Sequence, residues 1–188
     1  MTYKEILLNA FPKTLQSDVA VVADILNNLN PHSSIHTVQL NGEFLRIPCR
    51  VYFDEPSLFM INKLTYTQKN ILNCIYLRHN NGYLRQRQLE ELAGVNEDWI
   101  TPYILQLLGE YVLEILQVLN NIITEENIHY YKQFINDNPK YWQQTMSRVI
   151  SYWQCYYRGT NIAYSDQKGF PILKDYPGQQ IVDRLESK

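Results

Sequence analysis

The sequence predicts a mainly α fold: a single helical domain with a long central helix, packed HEAT-like or as an irregular helical bundle, plus one β-hairpin near residues 37–53. Three observations carry this. Hydrophobic residues recur at helical three-four spacing behind cap signals from Thr65 onward. One of these repeats runs from Ile100 to Ile123 without interruption. Period-two alternation is confined to one stretch around Asn41-Gly42. A chain of 188 residues that is 45% hydrophobic and holds 15 tyrosines has the apolar surface for a core. Seven glycines and eight prolines are too few for a collagen-like or low-complexity chain.

The elements follow in order. Residues 1–30 read as N-terminal helices, with Ser17 as an N-cap before Val19, Val22, Leu26 and Leu29, and Asn30-Pro31 as the stop. Thr37–Leu40 and Glu43–Phe53 alternate, and Asn41-Gly42 between them suits a two-residue type I′ turn. Pro48 makes the second strand an edge or breaks it. Residues 65–158 form the helical core. Thr65 and Gln68 match a capping box before Ile71, Leu72 and Ile75, and Asn80-Asn81-Gly82 ends that helix. Tyr83–Ala93 forms the next, closed by Gly94. The central helix then starts at Thr101 as N-cap with Pro102 at N1 and carries Leu107, Leu108, Ile115, Leu116, Leu119 and Ile122. Thr124 caps a further helix to about Asn136. Asn138-Pro139 opens an aromatic one through Trp142, Val149, Trp153 and Tyr157. Residues 159–188 read as a tail, turn-rich to 176, with a short helix after Pro177-Gly178.

A net charge of −2 supplies no global field for nucleic acid or an anionic membrane. No apolar run reaches the length of a membrane span, and the N-terminus lacks a secretory leader pattern. Three scattered cysteines without a CxxC motif read as reduced thiols, which places the protein in the cytoplasm. The distribution of charge says more than its sum. Gln88 to Tyr131 contains no lysine or arginine, yet holds Glu90, Glu91, Glu97, Asp98, Glu110, Glu114, Glu125 and Glu126. Immediately before it lie Arg78, His79, Arg85 and Arg87. Guanidinium groups beside a histidine suit a phosphate or carboxylate. The same arginines would equally suit ion pairs with the acidic block, Glu110 and Glu114 first, since those two share a face of the long helix.

The stretch from Leu89 through Ala93-Gly94-Val95 to Ile100 and Leu107 resembles the helix-turn-helix of winged-helix regulators. Its second helix carries Glu97 and Asp98 and no base, which disfavours DNA. Residues 80–93 with the helix after them look like one HEAT-type pair. The block RHNNGYLRQRQLEEL (78–92) through WITPYILQLLGEYVLEIL (99–116) resembles a set of uncharacterised bacterial proteins of similar length. That resemblance implies neither a fold nor an activity.

Metal and catalytic signatures are sparse. His32 and His36 straddle a helix-to-strand connection, and Glu126-x-x-His129 lacks the second such unit that helical di-iron sites require. There is no GxSxG, Walker A or GxGxxG pattern. Cys49 beside Arg50 has no histidine near it in sequence. Arg148, Tyr152, Tyr156 and Arg158 interleave aromatics with bases, an arrangement that serves a core more often than base stacking. The sequence therefore points to a helical interaction protein, not an enzyme, without cofactor or metal. It would bind a protein partner or a small anionic ligand through Arg78, His79, Arg85 and Arg87. The alternatives are a small enzyme pairing these arginines with Glu110 and Glu114, and a DNA-binding regulator.

Overall fold

The computed structural model describes residues 2–26, 34–158, 170 and 172–187. His32, Leu29 and the Asn30-Pro31 stop lie outside the described residues. The structure is mainly helical, with ten α-helices and one two-stranded antiparallel hairpin among the described residues. The chain groups into two compact units, Met1–Tyr103 and Ile104–Lys188.

In the first unit, α1 (Tyr3–Leu8) starts at a capping box in which Thr2 and Glu5 satisfy each other's backbone N–H groups. Helix α2 (Gln16–Ile25) follows a tight turn at Lys13–Leu15, so it begins one residue before the expected cap at Ser17, with Leu15 in the cap position. Strands β1 (Ile35–Leu40) and β2 (Glu43–Pro48) pair in the register Leu40↔Glu43 to Ile35↔Pro48. Asn41 at φ +50° and Gly42 at φ +83° form the turn, both in the left-handed region that a type I′ turn demands. The second strand ends at Pro48, five residues short of the expected Phe53, because proline offers no N–H to continue the ladder. Val51 and Phe53 are buried all the same. Four elements complete this unit: the short α3 (Leu58–Ile61), α4 (Tyr66–Tyr76), α5 (Gly82–Glu91), and α6 (Thr101–Gln106), which the unit boundary divides. The Thr65–Gln68 capping box forms as expected. Phe11 stacks on Tyr103 at 4.9 Å, and the Tyr103 hydroxyl donates to the Ala10 carbonyl at 2.6 Å.

The long central helix is not present. A 3-10 turn at Asp98–Ile100 leads into α6, so Thr101 is buried inside a helical run and caps nothing. A second 3-10 turn at Leu107–Gly109 tightens the backbone. Glu110 then adopts φ −106° and ψ 159°, and helix resumes only as α7 (Leu113–Ile122). The apolar period runs straight through this break, so periodicity alone does not reveal it. Gly109 costs a helix about 1 kcal/mol relative to alanine, and the Arg148 side chain lies across it, 3.1 Å from where a Cβ would stand. The Tyr157 hydroxyl takes up the Tyr111 carbonyl that the break frees. Within the second unit α8 (Ile128–Asp137) starts at Asn127, three residues after the expected Thr124 cap. Then come α9 (Pro139–Tyr152), which a π-helical turn at Trp153–Tyr157 prolongs, and α10 (Pro177–Glu186). Trp142, Val149, Trp153 and Tyr157 are buried, as a core stripe requires, while Tyr156 is exposed. Arg184 donates to the carbonyls of Asn120 and Ile123, satisfying the C-terminal end of α7.

Candidate functional site

Arg78 and His79 lie in the turn between α4 and α5, Arg85 and Arg87 on α5 itself, and the fold separates them. Helix α4 ends at Tyr76, ahead of the expected Asn80-Asn81-Gly82 stop, and Gly82 instead opens α5. The turn between them is pinned to the segment after β2, where Val51 N–H donates to the Arg78 carbonyl at 2.9 Å and Asn80 N–H to the Val51 carbonyl at 3.1 Å. Arg78 is 1% exposed, and its Nη2 donates to the Cys49 carbonyl at 3.5 Å. Arg85 is 3% exposed, with Nη1 bridging the carbonyls of His79 at 2.7 Å and Asn80 at 3.0 Å. These two guanidinium groups hold backbone in place. Asn81 caps α5, its Oδ1 accepting from Tyr83 N–H at 3.0 Å.

Of the four, Arg87 lines a cleft between α4 and α5. The cleft measures about 560 Å³, lies between α4, α5 and the Glu55–Ile61 segment, and is lined among others by Glu55, Lys69, Tyr76, Arg87 and Glu91. Arg87 pairs with Glu55 across it. Leu72 and Tyr76 from α4 and Leu58 and Ile61 from α3 supply its apolar surface. The Tyr76 hydroxyl donates to the Asp54 carbonyl at 2.8 Å, and burial, reinforced by Glu55 and Asp54, raises its pKa well above the usual tyrosine range. The His79 ring lies 5.9 Å from that of Tyr76. Burial is the main cause that lowers its pKa, opposed by the Phe53 backbone and by Glu55 and Asp54, and assisted by Arg85.

Glu110 and Glu114 belong to the second unit. Glu110 lies in the extended break and Glu114 in the first turn of α7, so the shared helical face expected of them does not exist. In the would-be recognition segment of the DNA-binding reading, Glu97 is exposed and Thr101 to Leu108 are buried. Cys49, Cys74 and Cys155 are free thiols. Among the described residues no three His, Cys, Asp or Glu side chains gather as a metal site would need, and no helix is long and apolar enough to cross a membrane.

Sequence reasoning missed the exposed apolar residues of α3, of which Leu58 lines the cleft. Leu58, Phe59 and Met60 are 76%, 69% and 40% exposed, and Lys63 lies over the Phe59 ring at 4.0 Å. The available signal was the LFMI run between Pro56-Ser57 and the Thr65 cap, four apolar residues in a stretch too short to bury them all. Comparison with known proteins finds no matching family model, no similar curated protein and no similar solved structure.

Proposed function

We propose that the chain is a cytoplasmic, non-catalytic interaction protein that receives an amphipathic segment of a partner protein in the cleft between α3, α4 and α5. The carrying observation is the exposure of Leu58, which lines a cleft whose walls bear both charge signs, Glu55 and Glu91 against Lys69 and Arg87, and of Phe59 beside it on the same short helix. Fully burying a leucine or phenylalanine side chain gains about 1.5–3 kcal/mol, so two adjacent ones left in water favour a partner that covers them. An apolar centre rimmed by charges of both signs suits a helix offering apolar anchors with flanking charges. The lining also supports binding over catalysis: it includes no thiol, imidazole or aliphatic hydroxyl, and its one phenol is committed to Asp54.

The test is a photo-crosslinking residue at position 59 in the native host, with the same residue at exposed position 21 as control. A protein captured at 59 and not at 21 is then purified. We expect Phe59→Ser to weaken its binding about tenfold or more with the helical circular dichroism unchanged. Equal capture at both positions, no capture at 59, or full affinity in Phe59→Ser overturns the reading. A small anionic ligand is favoured by one observation, that Lys69 and Arg87 line the same cleft. It requires calorimetric binding of citrate or inorganic phosphate that Arg87→Gln abolishes.

A further inference from the structure

His79 is half-buried beside the Tyr76 ring, and its imidazole meets the backbone of the turn that follows it. Nδ1 accepts a hydrogen bond from Asn81 N–H at 3.0 Å. With Nδ1 accepting, the neutral ring carries its own proton on Nε2. Asn81 is the residue that caps α5 through Tyr83 N–H. Arg85 reaches back from the first turn of that helix to the carbonyls of His79 and Asn80. One neutral ring thus ties the turn to the residue that caps α5.

We propose that His79 is a proton-operated latch on the N-terminus of α5, closed while the imidazole is neutral and released when it takes up a second proton. A doubly protonated ring carries N–H at both nitrogens and has no acceptor. It then presents a proton to Asn81 N–H, and that contact must open. The displaced residue is the cap itself, so the disturbance enters α5, the helix that brings Arg87, Gln88 and Glu91 to the cleft.

The groups around the ring set the direction. Asp54 and Glu55, from the segment ahead of α3, favour the added proton; Arg85 from α5 opposes it; Tyr76 from α4 contributes a tilted neutral ring. Burial outweighs the carboxylates, so the folded protein releases this proton more readily than the unfolded chain. The latch therefore contributes fully above about pH 6.5, the ordinary histidine value, and its contribution is lost as pH falls below it.

This inference does not depend on a ligand, and its test uses none. Amide hydrogen exchange of residues 81–85 is followed from pH 8 to pH 5, corrected for intrinsic rates and referenced to the amides of α4. We expect protection of 81–85 to fall with pH relative to α4 in the native sequence. His79→Asn keeps an acceptor oxygen near the Nδ1 position without a titrating group, and there we expect a flat profile. A flat profile in the native sequence, or the same fall in His79→Asn, overturns the latch. Should His79→Asn fail to fold, nitrogen-15 shifts of the native His79 ring decide: the latch requires the neutral Nε2–H tautomer at pH 7.5, and the other tautomer or a charged ring refutes it.

Discussion

Arg85 and Arg87 are two residues apart on α5 and have opposite roles. The Arg85 guanidinium is buried against the turn and satisfies two carbonyls, and removing it leaves those acceptors without that donor in a dry environment. We expect Arg85→Ala to cost about 3 kcal/mol. Arg87 pairs with Glu55 in the open, where water and salt screen the interaction, so Arg87→Ala should cost under about 1 kcal/mol. Urea unfolding of the two variants measures the difference, and equal losses would count against this division of labour. The sequence shows four basic groups within ten residues and cannot show which are turned inward. A buried arginine differs from a surface one through the carbonyls that meet it, and those of Cys49 and His79 come from backbone placed by the fold. His79 was legible as a candidate, but its partners were not.

At the scale of elements, what was legible rests on local chemistry. The Asn41-Gly42 turn and the Thr65–Gln68 capping box each close within four residues, so the sequence contains both partners. A Cβ at Gly42 would meet nothing within 4 Å, which isolates the conformational term. We therefore expect Gly42→Ala to destabilise the protein by about 1–2 kcal/mol through its positive φ alone, read as a shifted urea midpoint at constant slope. The break at Glu110–Val112 was not legible because its causes are tertiary: Arg148 over Gly109 and the Tyr157 hydroxyl on the Tyr111 carbonyl. Helix starts at Thr101 and Thr124 were misplaced for a similar reason. A threonine caps a helix only where its own backbone is extended, and Thr101, wound up by the 3-10 turn ahead of it, already has helical φ −50° and ψ −49°.

For the whole molecule the mainly helical class followed from the dominance of three-four spacing, while the exposure of α3 did not, since periodicity marks an apolar face without saying what covers it. The tyrosines offer a global test of burial. Desolvation raises the pKa of Tyr3, Tyr76, Tyr103 and Tyr176 well above 10 and that of Tyr157 to about 12. Because the folded state keeps these protons, their contribution to stability is complete below about pH 10 and is lost as pH rises beyond it. We expect these five phenols to stay protonated near pH 10 and to ionise only as the chain unfolds, read as absorbance at about 295 nm. Reversible ionisation of all 15 near pH 10 would contradict the packing. The interrupted helix between Thr101 and Ile122 also has a bearing on how fast the chain folds. In the unfolded chain only local forces act, and they favour winding straight through 109–112 within about a microsecond, before Arg148 can arrive. Productive folding must then unwind those residues. Gly109→Ala strengthens the non-native winding by up to about 1 kcal/mol. It should slow refolding in stopped-flow measurements at low denaturant, in the limb where the native contact with Arg148 has yet to form; an unchanged or faster refolding rate would show that the break is set from the start.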